Sequence, residues 1–482
     1  MILHFAIVFF SFYLLFRMKL KISSTLSVAL TINYTYAFVV NSHTVNGKPS
    51  THIIKLKSAS IVNASTFEPT AFIRNHYTTF QNGNRKIIQG NFDSKPLAID
   101  TTDDSALLSA VSTPSPALFL RNLDINQDFK TIVGSFDSAF ATYLSQSEYV
   151  EYVEPNQVYK AAIFPPATAP KPYEADSNSM PLSNSNDTSQ KQLLQRRNVV
   201  TQTKVPSWGI ARVSHRDLKN LDSYSADEAA GAGIHVYVVD SGINIDHPDI
   251  KGRAFIEANY VDYEGDGDYA GHGTHVAGTI GGSLYGVAKN VILHSVKILD
   301  SKGDGLTTSL IEAVSHITEV AKPGRSLINI SLTGPRSKMI DEVLSMAVRE
   351  HGIPVFVSAG NTGDDACEYS PSANPDVFAV GASNDRDKIP SFSSYGDCVR
   401  VYAPGTNITS SWLEANVQTM DGTSMANPHV TGIAALLMSQ HTFRSPHELY
   451  NAIVALATPG ALEAASEDDN RSPKPLAYNG VA

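Results

Sequence analysis

Five largely apolar runs in the second half of the chain constrain its fold more than any other feature: Ile234 to Val239, Val291 to Ile298, Leu327 to Leu332, Ile353 to Val357 and Val377 to Val380. A strand with one wet face alternates apolar and polar residues, whereas runs like these must be covered on both faces, as inside a parallel sheet. Helical stretches separate them, among them Thr308 to Val320 and Met339 to Glu350. The expected architecture is therefore α/β, a mainly parallel sheet flanked by helices. In such a sheet, chemistry is expected at the carboxyl ends of the strands.

The rest of the chain divides by composition. With 42% hydrophobic and 17% charged residues among 482, the sequence is that of a folded protein of two or three domains, not a disordered one. Residues 51–162 are mixed and globular. They open on the short strand Thr51 to Lys57, carry Phe136, Phe140, Tyr143 and Leu144 at helical spacing, and end in a strand-like run from Tyr149 to Tyr159. Residues 163–198 form a polar connector rich in Pro, Ser and Asn that ends in the dibasic pair Arg196-Arg197, the composition of an extended, protease-accessible linker. Residues 199–482 contain the sheet-forming runs. The net charge of −10 and the lack of basic blocks exclude a nucleic-acid partner. Two cysteines are too few for a thiolate zinc site or a disulfide scaffold, though enough for one bridge in an oxidising compartment.

The amino terminus bears on that compartment. Met1 to Phe16 is apolar but has no positive segment before it, and Arg17 to Lys21 follows it, the wrong order for a signal peptide. Starting at Met18 gives Lys19 and Lys21, the apolar stretch Ile22 to Ile32, and the small-residue cleavage site Thr35-Tyr36-Ala37. Residues 1–37 are thus read as a signal region with Met18 as the working start. An anchor formed by residues 2–16 would be shorter than the roughly 20 residues that span a bilayer, and no later segment is long and apolar enough. No membrane association is expected.

Three blocks carry chemistry. Asp240 directly follows the run Ile234 to Val239 and precedes the turn Ser241-Gly242; taken alone it would be read as a cap or turn residue. His272 lies in Gly271-His272-Gly273-Thr274-His275, where flanking glycines let a histidine open a helix without crowding. His-x-x-His could be half of a metal site, but no HExxH pattern and no cysteine accompany it, and Asp266 and Asp268 read as a solvated loop. Ser424, in Asp421-Gly422-Thr423-Ser424-Met425, leads into the apolar helix Thr431 to Met438; taken alone it would be a helix cap. Together the blocks offer the hydroxyl, base and orienting carboxylate of nucleophilic acyl transfer. Asn361, in Ser358-Ala359-Gly360-Asn361 after Ile353 to Val357, offers a carboxamide donor for an oxyanion.

DSGI around Asp240, GHGTHVAGT around His272, SAGN ending at Asn361 and GTSMANPHV around Ser424 resemble, in this order, the subtilisin family of serine peptidases, specifically its fungal proteinase K and cerevisin type. The resemblance extends from Ser207 to Asn479 and implies a secretory-pathway serine endopeptidase. By it, Ser424 is the nucleophile, His272 the base and then acid, Asp240 the group fixing the imidazole tautomer, and Asn361 with the Ser424 N–H the oxyanion donors. Residues 51–162 resemble the family's inhibitory propeptide, a ferredoxin-like β-α-β-β-α-β domain whose carboxyl-terminal strand, here Tyr149 to Ala162, blocks the cleft. Ser331-Leu332-Thr333-Gly334 stands where the family has Ser-Leu-Gly-Gly along the substrate strand and primary pocket, and the resemblance makes Gly360 a substrate-binding residue as well. Thr333 adds bulk and a hydroxyl to a normally bare wall, so a narrower side-chain preference than the family's broad one is expected.

The same resemblance, with the oxidising lumen, implies a Cys367–Cys398 disulfide. It places the family's calcium carbonyls at Pro375 and Val377 but puts Arg400 where the family has the aspartate ligand. No cofactor is expected, the calcium site being lost through Arg400 unless Asp397 supplies the carboxylate. Asn63, Asn186 and Asn407 are candidate glycan sites; Asn329 also matches the N-x-Ser/Thr pattern but lies in an apolar run and is expected to be bare. The expected partners are protein and peptide substrates and the chain's own propeptide, with the enzyme a monomer, secreted or in the vacuolar lumen. Two other readings would leave marks in the sequence. A catalytically dead relative acting as a binding protein would have lost a triad residue or oxyanion donor, and none is lost; a metal-dependent hydrolase would be sensitive to chelators and not to serine-directed inhibitors.

Overall fold

The computed structural model describes residues 51–58, 68–90, 120–123, 129–162, 168–174, 198–463 and 474–481. The signal region, Arg196-Arg197, Asn63 and Asn186 lie outside them.

The apolar runs assemble into a seven-stranded parallel sheet. In spatial order its strands are Ala254–Asn259, Ile292–Lys297, His235–Asp240, Ser326–Ile330, Val355–Ser358, Phe378–Ser383 and Val399–Pro404. The chain enters at His235–Asp240, crosses to the edge strand Ala254–Asn259, inserts Ile292–Lys297 between the two, then builds the other side outward from Ser326–Ile330, so the strand order reverses at the strand that ends in Asp240. Such a reversal opens a crevice at the carboxyl ends of the strands. Helices His272–Gly281, Thr423–Gln440 and Pro446–Leu456 cover one face, and Thr307–Val320 and Lys338–Arg349 the other. The two edge strands were not among the expected runs. Ala254–Asn259 exposes Phe255 and Ile256, and Arg400 interrupts Val399–Pro404, so neither reads as a doubly buried strand.

The expected run Leu327 to Leu332 is divided at Ser331. Ser326–Ile330 stays in the parallel sheet, while Leu332–Pro335 joins a separate four-stranded sheet. The run from Tyr149 to Tyr159 is divided in the same way: Val150–Pro155 belongs to the N-terminal unit and Val158–Ala161 pairs with the catalytic region. Apolarity marks where strands lie but does not name their partners, so both breaks are invisible in the pattern.

The N-terminal unit runs strand, helix, strand, strand, helix, strand: Thr51–Leu56, Pro69–Gly90, Leu120–Asn122, Thr131–Ser135, Ser138–Ser145 and Val150–Pro155. Its antiparallel sheet places Thr51–Leu56 between Thr131–Ser135 and Val150–Pro155, with Leu120–Asn122 at the edge. Of the helical-spacing residues, Phe140, Tyr143 and Leu144 lie on the helix and Phe136 just before it; Asp137 caps that helix, accepting from the Phe140 N–H at 2.8 Å.

Candidate active site

Asp240 closes its strand and His272 opens its helix, which brings them together across 32 residues of sequence. Both are buried, and His272 Nδ1 lies 2.6 Å from Asp240 Oδ1. The Asp240 carboxylate also accepts from the Ser241 N–H at 2.7 Å. The contact holds the imidazole proton on Nδ1 and leaves Nε2, which has no partner, free to accept one. The glycines beside His272 are required by close approach. A Cβ on Gly273 would sit 2.1 Å from the Gly242 carbonyl, and Gly271 has φ +85° with the Trp412 ring 2.4 Å from where its Cβ would be.

Asp268, read from the sequence as part of a solvated loop, is instead buried and organises this helix start. Its carboxylate accepts from the N–H groups of Ala270, Gly271 and Thr274 and from the hydroxyls of Thr274 and Ser241, at 2.6 to 3.0 Å. The helix has a glycine at its N-cap with no side-chain bond, so Asp268 supplies the missing acceptor. Lys297, on the strand beside Asp240, is also fully buried and donates to the carbonyls of Ser241 at 2.7 Å and Leu299 at 3.1 Å, fixing the turn after Asp240 from below.

His275 does not face His272's partner. Its Nε2 is 3.1 Å from the carbonyls of Ile408 and Gln418, and burial pushes its pKa down to about 3, so the ring is neutral and its Nε2 proton is spent on those carbonyls. The His-x-x-His pair therefore does not converge on one point.

Ser424 is the second residue of the helix Thr423–Gln440 and is buried at its start. Its hydroxyl donates to the Ser331 carbonyl at 2.9 Å rather than to the imidazole, and its N–H donates to the carbonyl of Ala162 at 3.3 Å. Asn361 lies beside that helix start. Its Oδ1 accepts from the Thr423 N–H and hydroxyl, both at 2.9 Å, which orients the carboxamide and leaves Nδ2 buried without a partner. A peptide carbonyl thus sits on one backbone donor while a fixed amide donor is held in reserve, and a turn of the Ser424 side chain is what the nucleophile needs to meet the free imidazole nitrogen.

Ala162 is the end of the tail strand. Val158–Ala161 lies antiparallel between Asp304–Leu306 and Leu332–Pro335, with Leu332 opposite Ala161 and Thr333 opposite Lys160. The Ala162 N–H reaches the Ser331 carbonyl at 3.3 Å and the Ala161 N–H reaches the Gly303 carbonyl at 3.0 Å. Tyr159 is buried against Gly334, where any Cβ would stand 2.4 Å from its ring, and its hydroxyl donates to the Pro335 carbonyl at 2.5 Å. The Thr333 hydroxyl is buried and has no partner; it lies 3.6 Å from where a Cβ on Gly360 would sit, and the Ser394 hydroxyl lies 3.1 Å from the same point. Gly360, with φ +109°, thus has hydroxyls close on that side.

Outside the cleft, Cys367 and Cys398 are joined in a disulfide, with Cα atoms 5.5 Å apart. Arg400 Nη2 donates to the Pro375 carbonyl at 3.1 Å, while the Asp397 side chain is fully exposed and faces Lys474 at 3.7 Å. Asn329 is buried with its carboxamide bonded to Ser331, Asn427 and Thr431, whereas Asn407 is exposed.

The subtilase family model matches residues 231–475. The chain is 39% identical to the subtilisin-like serine protease AsES of Sarocladium strictum over 284 residues, 58% of this chain and 71% of that protein. It is 36% identical to alkaline protease 1 of Aspergillus clavatus over 363 residues, 74% of this chain and 79% of that one. That match is longer than all of residues 199–482, so it reaches back through the linker into the N-terminal unit. A crystal structure of a cold adapted subtilisin-like serine proteinase superposes with a TM-score of 0.54 at 36% identity, covering 57% of this chain and 99% of the other.

Proposed function

The chain belongs to the subtilase family and is a subtilisin-like serine endopeptidase; we propose that it is made as a zymogen that cuts itself between Ala162 and Ile163. The observation that carries this reading is the Ala162 carbonyl on the Ser424 N–H, at the end of a strand held as a substrate would be. In the proposed step the Ser424 hydroxyl oxygen attacks the Ala162 carbonyl carbon while His272 Nε2 takes the hydroxyl proton. The Asp240 carboxylate steadies the imidazolium, and the oxyanion is shared by the Ser424 N–H and Asn361 Nδ2. Collapse breaks the C–N bond as His272 returns the proton to the Ile163 nitrogen. Water, deprotonated by the same imidazole, then releases Ala162 from the acyl-enzyme. Trimming near Arg196-Arg197 would define the mature amino terminus.

The cleft favours a narrow primary pocket. Its own segment presents Tyr159-Lys160-Ala161-Ala162, with the large side chain three residues before a small one, and Thr333 and Ser394 bring hydroxyls up to Gly360. The reading predicts that Ala and Ser substrates outrun Phe and Leu ones at the position before the cut.

Calcium does not fit the position the family would use, because a guanidinium stands where the carboxylate is needed and already donates to one of the carbonyls. A disulfide favours an oxidising compartment, and among the described residues no helix is long and apolar enough to cross a membrane. We infer a secreted or vacuolar-lumen enzyme, monomeric, with glycans accepted at exposed Asn407. The deciding experiment is intact mass of the Ser424→Ala protein from a protease-free host. Residues 51–162 should remain covalently attached, and normal processing of that variant would overturn self-cleavage.

A further inference from the structure

The chain is held a second time beyond the bond in the cleft. Lys171–Pro172 adds a third antiparallel strand to the hairpin Ile408–Ser411 and Asn416–Met420, with Lys171 opposite Val417 and Pro172 opposite Asn416. The Tyr173 N–H donates to the Ala415 carbonyl at 2.8 Å, and Gln418 Nε2 donates to the Thr168 carbonyl at 2.9 Å. Tyr173 then turns inward. Its ring meets His247 edge-on at 5.3 Å and lies 6.3 Å from Tyr285, covering a small apolar cluster of Leu284, Tyr285 and Val417 that is separate from the main cores.

The socket is built and not incidental. His247 is fully buried, with Nε2 2.8 Å from the Asn416 carbonyl and Nδ1 accepting from the Asp249 N–H at 3.2 Å. Burial lowers its pKa, and a ring whose Nδ1 accepts the Asp249 N–H carries no proton there, so a neutral imidazole meets the tyrosine. The same strand leads, within four residues of Met420, to Ser424. Thr168 is six residues past Ala162, a reach of at most roughly 20 Å. The segment therefore lies on the leaving-group side of the bond.

We propose that the outer edge of Asn416–Val417, with the socket of His247, Leu284 and Tyr285, is a second peptide-binding site, and that the linker segment Thr168–Glu174 stays seated there after the first cut and acts as a second inhibitor. The proposal rests on the self-processing reading for its timing, though not for the site itself. After cleavage at Ala162 the segment is still tied to the catalytic unit through residues 175–198, which keeps it at an effective concentration on the order of millimolar. A site built from strand bonds, one side-chain amide and one half-buried aromatic needs only a sub-millimolar affinity to remain filled. Cutting near Arg196-Arg197 turns the tethered segment into a free peptide that dilutes away. The second cut is thereby the step that frees the leaving-group side.

Hydrogen exchange on the uncut Ser424→Ala chain tests the site directly. Residues 168–174 and 415–418 should be protected, and adding Tyr173→Ala should release 168–174 while 158–162 stay slow. Exchange of 168–174 at the rate of an unstructured peptide in Ser424→Ala would overturn the site. The inhibitory role is tested in the active chain carrying Arg196→Ala and Arg197→Ala. Intact mass first reports whether the cut after Ala162 has occurred; its absence counts against self-processing and leaves the exchange result to decide the site. In the cut, linker-bearing enzyme, KM for peptides extending five residues past the bond should rise on the order of tenfold relative to KM for p-nitroanilides that end at it, as a millimolar tether against a dissociation constant of about 0.1 mM implies. Tyr173→Ala should abolish that difference. An equal ratio of the two KM values with and without Tyr173→Ala would overturn the second inhibitor.

Discussion

The two folded regions bury their apolar residues in different ways. The catalytic sheet is covered by its own helices on both faces. The N-terminal unit has a self-contained core on one side only, built around Ile54, Leu56, Ile132, Phe140 and Leu144. Its other side, with Ile53, Leu123, Phe129 and Val133, is part of the cluster that includes Leu310, Met339 and Val343 of the catalytic helices. The catalytic sheet is thus covered by its own helices, while the N-terminal unit completes the burial of one of its sides against them.

The borrowing is reciprocal at the helix ends. Glu154 accepts from the Ser337 hydroxyl and the Lys338 N–H, both at 2.8 Å, at the start of Lys338–Arg349. The helix Thr307–Val320 has no side-chain cap of its own, and Asn156 Oδ1 and the Gln157 carbonyl accept from the Thr308 and Thr307 N–H groups at 3.1 and 3.0 Å. The N-terminal unit therefore satisfies orphan donors on two catalytic helices before any substrate arrives. Parallel strands distant in sequence assemble slowly, and pre-capping two of their crossover helices is a physical route by which the attached unit is expected to speed that assembly, a role that Glu154→Ala tests.

The largest test of this asymmetry is at the bond that joins the two regions. Asn361→Leu keeps the residue's size but removes the unpartnered Nδ2 donor proposed for the oxyanion, and should slow self-cleavage about 10²- to 10³-fold. Time-resolved intact mass would show the two units staying joined. Cleavage at the unsubstituted rate would mean that Asn361 Nδ2 does not serve the oxyanion. Next in size is Cys398→Ser, which opens a loop of 31 residues and on the chain-entropy model costs roughly 3 to 4 kcal/mol. The loss should appear in denaturant unfolding of the mature enzyme and be no larger in the uncut chain, because the bridge lies wholly within the catalytic unit.

Glu154→Ala sharpens the comparison further. Losing a cap costs about 0.5 to 2 kcal/mol, which on the self-processing reading is felt only while the two units are joined, because that reading leaves Glu154 out of the mature chain. The yield of active enzyme on refolding should fall, while the melting temperature of what does mature should match that of the unsubstituted protein. Undiminished yield would remove the capping role.

How much of this could be read in the sequence differs by kind of residue. Asp240, His272, Asn361 and Ser424 stand at strand ends and helix starts that apolar runs delimit, so their elements could be placed from pattern alone. Asp268 could not, because a carboxylate that caps a helix start and one in solvent look alike until the donors around it are known. The break at Ser331 and the seating of Tyr173 are hidden for a related reason: both depend on which distant strand supplies the hydrogen bonds, and pairing leaves no periodicity behind.

The smallest expected effect concerns how the catalytic unit holds its second edge strand without help. Arg400 sits on that strand, exposed, and donates to the Pro375 carbonyl, 25 residues away in sequence, a cross-link that on the proposed reading stands in for a bound cation. The alternative ligand Asp397 lies in the turn before that strand, with its side chain fully exposed and facing Lys474. If calcium is excluded as proposed it adds nothing to stability, and a chelator should leave the melting temperature of the mature enzyme unchanged. Arg400→Asp removes the guanidinium and restores a carboxylate beside the same carbonyls. If the position is what fixes calcium dependence, that variant should melt lower than the unsubstituted enzyme in chelator and recover on adding calcium, by about 2.7 kcal/mol at a hundredfold excess over its dissociation constant, or several degrees. A calcium ion found on the carbonyls of Pro375 and Val377 in the unsubstituted enzyme, or a melt that drops with chelator, would show instead that Arg400 has moved aside and that the edge strand depends on a metal after all.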